Sequence, residues 1–337
     1  MSSRVLPKGD LAEITHSSKE VLSVLEGAKI VILGGTGFVG KWLVSALNFA
    51  KESLNLEYDL CVVTRSRSRA QRELGISNIK FIEHDLASSI LTLPSADFYI
   101  HGATPSVPST GSKDLVGVAN STLNGSLSIF NAALKSKNTK SILYLSSGAV
   151  YGKQTSVRIL QPEGPAKLPN PTLSFYGHTK LIGESVCAQV NLETGIPIST
   201  PRLFAFFGPH ISLNDHFAIG NFLRDAREGK PIRILGNPKT IRSYLYPTDL
   251  ISNLLKLIVH PQHKPINIGS SIPLTLLEVA KQISKMFGKL PIEILGTTLE
   301  KSNYVPETVW MQKEQGVRPS VPFEEGMLRW NTWLDQS

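Results

Sequence analysis

The chain alternates short apolar runs with longer segments in which apolar residues recur every three or four positions. The apolar runs lie at 30–33, 58–64, 79–83, 98–101 and 142–145, and helical spacing follows at 38–52 and 114–135. Strands joined through helices must run parallel to one another. The pattern therefore predicts an α/β fold, a Rossmann-type doubly wound parallel sheet with a smaller C-terminal α/β part.

Helical spacing also occurs before the first strand and near the C-terminus. The first segment, 10–26, has Asp10 in a position to cap it, and it predicts a helical extension packed on the main domain. A targeting role is the alternative, although the segment contains acidic residues. After residue 200 the alternation of strands and helices becomes irregular and the sequence becomes proline-rich. Helices are predicted at 275–287 and 321–333. We expect three parts: the helical extension (1–27), a main domain (28–200) whose sheet is completed by later segments, and a C-terminal part (201–337).

The composition is that of an ordinary soluble globular protein, with 41% hydrophobic and 18% charged residues among 337. The sequence contains neither an apolar run long enough for a bilayer nor an N-terminal signal-peptide core, so we expect a cytoplasmic protein. Its two cysteines, Cys61 and Cys187, are expected to be buried thiols. The net charge of +8 is compatible with an anionic partner and leaves nucleotide-linked substrates and nucleic acid both open.

The first apolar run breaks into three spaced glycines and continues as a helix. Gly34 can form a tight turn, Gly37 can let a phosphate approach the backbone, and Gly40 can let the helix lie close to the strand. The intervening Thr36, Phe38 and Val39 would contact the same ligand. An ordinary turn between strand and helix is the alternative, but the flanking strand and helix favour a dinucleotide pyrophosphate at the helix N-terminus.

The second strand is followed by a run of arginines and serines that begins with Arg65 and contains no acid. In dinucleotide folds an acid here holds the ribose hydroxyls of NAD, whereas an arginine can bind the extra phosphate of NADP. NADP(H) is therefore favoured and NAD(H) stays possible. A solvated basic helix start is the alternative, and contact with RNA is disfavoured because aromatic stacking residues are absent nearby.

Two further strand ends contain candidate cofactor contacts. Asp85, after the third strand, can accept a hydrogen bond from an adenine amino group or can cap a turn. Ala103 and Gly102, after the fourth strand, leave room for a cofactor to cross the strand ends. His101 at the end of that strand is expected to be structural rather than catalytic.

A serine and a tyrosine–lysine pair supply candidate redox chemistry. Ser147 follows the fifth strand, and Tyr176 precedes Lys180 by four residues, so that the two share a helix face. An ammonium near a phenol lowers the phenol pKa, which would let Tyr176 act as acid or base near neutral pH while Ser147 orients a substrate oxygen. An aromatic ring packed beneath a surface lysine is the alternative.

Taken together, these motifs resemble the extended short-chain dehydrogenases/reductases of the NAD(P)-dependent nucleotide-sugar epimerase/dehydratase family. The resemblance runs from Lys29 to Trp333 and rests on the glycine stretch, Ser147, Tyr176 with Lys180, the segment 242–249 and the segment 267–269. It implies that Tyr176 is the acid/base, that Lys180 orients the nicotinamide ribose, and that Ser147 bonds the sugar oxygen. It also implies a nucleoside diphosphate sugar as substrate and a homodimer.

Departures from the family pattern narrow the expected reaction. Dehydratases of the family have an acidic pair directly after the catalytic hydroxyl residue, where this chain has Gly148 and Ala149, and a cysteine used by epimerising reductases is absent from position 149. What remains is hydride transfer at C4 of the sugar by a 4-ketoreductase or, alternatively, a 4-epimerase. Arg65 favours the reductase. A 4,6-dehydratase or a non-catalytic dinucleotide- or RNA-binding module is a weaker alternative.

Candidate substrate contacts lie in the C-terminal part. The resemblance places Arg242 on the substrate diphosphate, which a guanidinium can bind bidentately, and a surface ion pair is the alternative. Arg233 is a second candidate, and a solvent-facing arginine on a short strand is the equal alternative. Relatives have an asparagine where this chain has Ala205, and Asn221 is the candidate replacement. No metal site is expected, since His260 and His263 have no further ligands nearby in sequence.

Overall fold

The structure, a computed structural model, describes residues 5–104, 114–136, 138–152, 174–215, 217–296, 303–315 and 319–336. Its main sheet has six strands, all paired in parallel. These are β1 (Lys29–Leu33), β2 (Asp59–Thr64), β3 (Lys80–Glu83), β4 (Phe98–His101), β5 (Ser141–Tyr144) and β7 (Ile198–Ser199). Their spatial order is β3-β2-β1-β4-β5-β7. The chain thus winds outward from β1 in both directions, which confirms the predicted doubly wound sheet.

The register brings the ends of the central strands to one level. Leu33, the last residue of β1, lies opposite Val63 of β2 and His101 of β4. The segments that leave these strands therefore meet at the same edge, at the point where the strand order reverses. Ligands of open parallel sheets bind at such a point.

Among the described residues up to position 194, six helices accompany the strands of the main sheet. They are α1 (Lys8–Ser17), α2 (Lys19–Ser23), α3 (Phe38–Ser53), α4 (Arg67–Leu74), α5 (Leu115–Lys135) and α6 (Phe175–Thr194). One face of the sheet packs with α3 and the N-terminal extension in a continuous apolar core, and the other face packs with α5 and α6. The bounds of β1–β5, α3 and α5 agree with the sequence pattern to within a few residues.

The remaining elements comprise short strands and the helices of the C-terminal part. The short strands are β6 (Ser146–Ser147), β8 (Pro201–Leu203), β9 (Ile232–Ile234), β10 (Ile241–Arg242), β11 (Ile266–Ile268), β12 (Leu274–Thr275) and β13 (Ile292–Ile294). They pair as β11-β8-β6, β10-β12 and β13-β9. The helices are α7 (Ala218–Arg227), α8 (Pro247–Val259), α9 (Leu276–Met286), α10 (Val309–Gln315) and α11 (Phe323–Asp335). A separate apolar core joins α7, α9 and α11, whereas α8 packs with the main sheet.

The N-terminal extension packs on the main domain as predicted, but Asp10 does not cap its helix. The residue before the first turn is Pro7, and Asp10 lies inside α1 with 4% of its surface exposed. Its carboxylate accepts hydrogen bonds from the Tyr246 hydroxyl at 2.7 Å and from Arg329 at 2.9 Å. The capping prediction is wrong because these tertiary partners hold the carboxylate in the interior. Residues 1–4 of the predicted extension lie outside the described ranges.

Both cysteines are buried free thiols, as predicted. Within the ranges given above, no helix is long and apolar enough to cross a membrane. The same ranges contain no group of three or more His, Cys, Asp and Glu side chains that could hold a metal ion.

Candidate active site

The turn after β1 requires glycine at two of its three spaced positions. Gly34 has a φ of +88°, and a Cβ there would lie 2.6 Å from the carbonyl carbon of Gly102. A Cβ on Gly40 would collide with the Gly34 carbonyl oxygen. The structure thus assigns the tight turn to Gly34 and the close approach of α3 to Gly40, as the sequence predicted.

The N-terminus of α3 is open to a ligand. Gly37 precedes the helix and is exposed, and no side chain caps the first turn, which begins with Phe38 and Val39. A Cβ on Gly37 would come no closer than 3.4 Å to the described residues. Uncapped N–H groups at the positive end of a helix fit the pyrophosphate of a dinucleotide. Contacts of Thr36, Phe38 and Val39 with that cofactor stay a prediction.

The segment after β2 presents exposed arginines. Arg65 is exposed, and the residues that the structure describes give it no ion-pair partner. Arg69 pairs with Glu73 instead. Glu83 of the adjacent strand β3 accepts a hydrogen bond from the Arg67 backbone at 2.7 Å and so holds the start of α4. Arg65 is therefore one of the exposed arginines at this edge that can meet an anion.

Asp85, which follows the third strand, caps a turn. Its Oδ1 accepts a hydrogen bond from the Ala87 backbone at 3.0 Å, in a turn. Asp85 is exposed, and an adenine contact through it stays a prediction.

His101 is structural, as predicted. Its Nδ1 accepts a hydrogen bond from the Ala103 backbone at 3.3 Å, and its Nε2 lies 2.8 Å from the Thr122 carbonyl oxygen. Burial lowers the pKa of His101 to about 3, so the ring is neutral near pH 7. The imidazole thus shapes the loop at Ala103, whose role in cofactor binding stays a prediction.

The structure brings the predicted serine, tyrosine and lysine together. Ser147 ends β6 and accepts a hydrogen bond from Ala149, the second residue of the 3-10 turn Gly148–Tyr151. Ser174 caps α6 by accepting from Gly177 at 3.1 Å, which fixes the first turn of that helix. Tyr176 and Lys180 follow on α6, and the Tyr176 side chain interacts with that of Ser147.

Lys180 is buried with its ammonium held by neutral oxygens. Its Nζ donates to the Leu145 carbonyl at 2.7 Å and to the Thr104 hydroxyl at 2.8 Å. Burial lowers the pKa of Lys180 to about 7, and the charge of Glu184 opposes that shift. Its charge therefore changes with pH in the neutral range.

Tyr176 does not have the lowered pKa that the sequence suggested. Burial raises the pKa of its hydroxyl to about 12, and the Ser147 hydrogen bond only reduces that rise. The Lys180 Nζ lies 5.8 Å from the Tyr176 ring centroid. The expectation fails because desolvation of the phenolate outweighs the neighbouring lysine, whose protons are directed to Leu145 and Thr104. Tyr176 is thus a protonated phenol at neutral pH.

A second tyrosine hydroxyl, absent from our sequence predictions, lies beside Ser147. The Tyr304 hydroxyl is 3.4 Å from the Ser147 Oγ and 3.3 Å from the Leu203 carbonyl oxygen. The Tyr304 ring packs on Phe204 with centroids 4.6 Å apart. Because a single tyrosine outside any periodic segment gives no local signal, only the tertiary structure reveals it.

A buried network of charged and polar side chains lies beside the site. Arg202 of β8 is fully buried and pairs with Glu184 of α6 through two nitrogens, and Ser146 also donates to Glu184. The Arg202 guanidinium lies 4.9 Å from the Tyr151 ring centroid, and the Tyr151 hydroxyl donates to Asn267 at 2.7 Å. These contacts join β8 to β6 and α6, the two elements that carry Ser147 and the Tyr176–Lys180 pair.

Arg242 lies next to Tyr304. Its Nη1 donates to the Ile241 carbonyl at 2.9 Å, and its guanidinium carbon is 5.9 Å from the Tyr304 ring centroid. Burial lowers the pKa of Arg242, although not enough to remove its charge. The structure therefore places this predicted phosphate ligand on the C-terminal side of the same site.

The other two predicted substrate contacts belong to a separate cluster. Arg233 binds Asp225 through Nε at 3.0 Å and Nη2 at 2.8 Å. Asn221 donates to the Asp215 carbonyl at 3.0 Å and accepts from Arg224 at 3.1 Å. Both side chains are thus engaged with neighbours on or beside α7, and their assignment to substrate binding stays a prediction.

Comparisons with known proteins show the family and the fold of this chain. A profile of the NAD dependent epimerase/dehydratase family matches residues 30–269. UDP-glucuronic acid decarboxylase 5 of Arabidopsis thaliana is 25% identical over 303 residues, which cover 89% of this chain and 87% of that protein. The UDP-glucose 4-epimerase of Thermotoga maritima has a TM-score of 0.76 at 20% identity, with 91% and 99% of the two chains covered. The UDP-glucuronic acid 4-epimerase of Bacillus cereus, solved with UDP-glucuronic acid and NAD, has a TM-score of 0.75 at 22% identity, with the same coverage.

Proposed function

Because the chain belongs to the NAD dependent epimerase/dehydratase family, enzymes of the extended short-chain dehydrogenase/reductase type, we propose that it is a 4-ketoreductase of nucleotide sugars. It reduces the C4 ketone of a nucleoside diphosphate 4-keto-6-deoxyhexose and prefers NADPH. The observation that carries this proposal is a site with Ser147, Tyr176 and Lys180 together and no acid at positions 148 and 149.

The missing acid restricts the chemistry at the sugar. Elimination of water needs a group that moves a proton at a neighbouring carbon, and Gly148 and Ala149 have none. The ring of Phe204 also fills the space beside Gly148, since a Cβ there would lie 2.7 Å from Phe204 Cζ. Hydride transfer at C4 is the step that needs no such acid.

The protonation state of Tyr176 supports reduction. A ketone that receives a hydride must also receive a proton on its oxygen, and a phenol with a pKa raised to about 12 retains that proton at neutral pH. Ser147 donates a hydrogen bond to the same oxygen and so orients the carbonyl. The nicotinamide dinucleotide, when bound, supplies the hydride. Arg242 would hold the diphosphate through its guanidinium.

Arg65 supports the preference for NADPH. Its exposed guanidinium at the end of β2 suits a 2′-phosphate, whereas NAD offers only hydroxyls there. We expect Arg65→Ala to reduce the ratio of kcat/KM for NADPH to that for NADH by about 10-fold or more. Arg72→Ala, at an exposed arginine in the last turn of α4, is the matched control. An unchanged ratio in the Arg65 variant would show that the 2′-phosphate assignment is wrong.

The reductase is tested by supplying NADPH with UDP- and dTDP-linked 4-keto-6-deoxy sugars. Loss of reduced nicotinamide absorbance in equal amount to the sugar alcohol formed supports the proposal, and Tyr176→Phe should abolish it. Inversion at C4 of a UDP-hexose without net cofactor consumption would identify the alternative, a 4-epimerase. Release of carbon dioxide from UDP-glucuronic acid would instead place the chain with decarboxylases such as that of A. thaliana.

A further inference from the structure

The N-terminal extension contacts both apolar cores of the molecule. Leu11 and Ile14 of α1 are buried in the core that packs on the main sheet. The extension also binds α11, a helix of the second core. The Trp333 indole donates to the Val5 carbonyl at 2.8 Å, and Arg329 pairs with the carboxylates of α1. The extension is therefore placed to fix the C-terminal part against the main domain.

The Asp10 carboxylate connects α1 to Tyr246, the residue before α8. The Tyr246 hydroxyl donates to Asp10 Oδ2 at 2.7 Å. The Tyr246 ring is fully buried, with its centroid 5.6 Å from that of Phe207 and 6.5 Å from that of Trp42. A close-packed ring leaves its hydroxyl little freedom to find another partner. The bond to Asp10 thus fixes the side chain at position 246 and the backbone that carries it.

Tyr246 ends a short segment that begins with Arg242, the predicted ligand of the substrate diphosphate. Within the segment, the Leu245 N–H donates to the Ala205 carbonyl at 3.1 Å, and the Leu245 carbonyl accepts from Phe207 at 3.3 Å. A short segment paired in this way transmits a shift of one end to the other. A displacement of about 1 Å is enough to spoil a bidentate contact between a guanidinium and a phosphate.

The other partner of Asp10 is held independently of it. Arg329 also pairs with Glu13 at 2.6 Å and with Glu325 at 2.5 Å. Replacement of Asp10 therefore leaves Arg329 with two carboxylates but takes the acceptor from the Tyr246 hydroxyl. We propose that Asp10 is a positioning residue: through the Tyr246 hydroxyl, the N-terminal extension fixes the segment that presents Arg242 to the substrate diphosphate. This rests on the proposed function, which assigns the diphosphate to Arg242.

Binding of nucleoside diphosphates to the NADPH-saturated protein tests this role. UDP, dTDP, CDP and GDP are compared first, and the nucleotide that the wild type binds is used. We expect Asp10→Ala and Tyr246→Phe each to weaken its binding about 5- to 10-fold, because Arg242 is less well placed. Asp10→Asn keeps an oxygen acceptor and should recover most of the affinity. Glu13→Ala is the matched control, since it removes a carboxylate from Arg329 on the same helix.

A double-mutant cycle with Arg242 separates positioning from a general loosening of the fold. In an Arg242→Met background, Tyr246→Phe should weaken nucleotide binding less than about twofold, because the group that it positions is gone. Tyr246→Phe keeps the buried ring and so decides the test even where Asp10→Ala does not fold. Binding of NADPH to Tyr246→Phe should stay within about twofold of wild type. Equal losses in the two backgrounds, unchanged nucleotide binding in Tyr246→Phe, or a parallel loss of NADPH binding would overturn the role of Asp10.

The outcomes separate this proposal from the proposed function. If wild-type protein shows the coupling to Arg242 but reduces no 4-keto sugar, the reductase is wrong and the role of Asp10 stands. If it reduces a 4-keto sugar and the coupling is absent, the reductase stands and the role of Asp10 is wrong. Wild-type protein that binds none of the four nucleotides contradicts both.

Discussion

The ring of Phe204 occupies the space into which a side chain at Gly148 would project, with a Cβ at position 148 placed 2.7 Å from Phe204 Cζ. The same ring packs on Tyr304 and Tyr151. An aromatic cluster therefore stands beside Ser147. A side chain at position 148 would require the Phe204 ring to move.

Gly148→Ala tests this packing. A methyl group forced against the Phe204 ring should lower the free energy of unfolding by about 1 to 3 kcal/mol, as overpacking does in other cores. Adding Phe204→Leu should recover part of that loss. Urea denaturation measures both variants, with Gly9→Ala as the control because nothing lies within 4 Å of a Cβ there. If Gly148→Ala were as harmless as Gly9→Ala, the ring would not restrict this position.

The buried Lys180 predicts a fall in activity with rising pH. Its pKa of about 7 means that the ammonium form dominates below that pH and the neutral amine above it. If the charge serves catalysis, kcat/KM should decrease as the pH rises through about 7, while Tyr176 with its pKa near 12 stays protonated. Lys180→Arg, slower overall, should lack this decrease because a guanidinium keeps its proton. A flat profile for the wild type from about pH 6 to about pH 9 would contradict this assignment.

The Asp10 carboxylate should stabilise the packing of the N-terminal extension on the rest of the molecule. Asp10→Ala leaves the buried Tyr246 hydroxyl and the Arg329 guanidinium without this partner, so we expect a loss of about 2 to 4 kcal/mol in unfolding free energy. Asp10→Asn keeps an oxygen acceptor and should cost less. Glu20→Ala, on the exposed side of α2, is the control. Equal stability of the Asp10 and Glu20 variants would show that the extension is not held through this carboxylate.

Removing one partner of the Glu184–Arg202 pair should lower the free energy of unfolding more than replacing both partners with apolar residues. Arg202→Met leaves a buried carboxylate unpaired, which typically costs about 3 to 5 kcal/mol. The double variant Glu184→Met with Arg202→Met should be more stable than the Arg202 single variant, because no isolated charge remains. Arg69→Ala, at an exposed pair, should cost less than about 1 kcal/mol. Additive losses in the double variant would mean that the two groups act independently.

Features encoded by local sequence were predicted well. The sequence analysis assigned the tight turn to Gly34 and the close helix approach to Gly40, and both assignments match the structure. It also predicted a helix over 275–287, and the structure shows that Thr275 and Glu278 form a capping box at its start. Such elements need no information about distant residues.

Features set by tertiary contacts were not predicted. Asp10 looked like a cap because its partner Tyr246 is 236 positions away. Tyr304 meets Ser147 across 157 positions, and no spacing rule connects them. The pKa of Tyr176 depends on how deeply its hydroxyl is buried, which the four-residue spacing to Lys180 does not reveal.

The central claim is that the chain delivers a hydride from the cofactor to C4 of a nucleotide sugar and keeps the product reduced. It is tested most directly with NADPH deuterated at C4 of the nicotinamide, on each face in turn, and a UDP- or dTDP-linked 4-keto-6-deoxyhexose. We predict that one of the two labelled cofactors places deuterium at C4 of the sugar alcohol, with one NADPH consumed for each product and no reaction in Tyr176→Phe. A C4-inverted sugar formed from a UDP-hexose with no deuterium gained and no NADPH consumed would contradict the reductase.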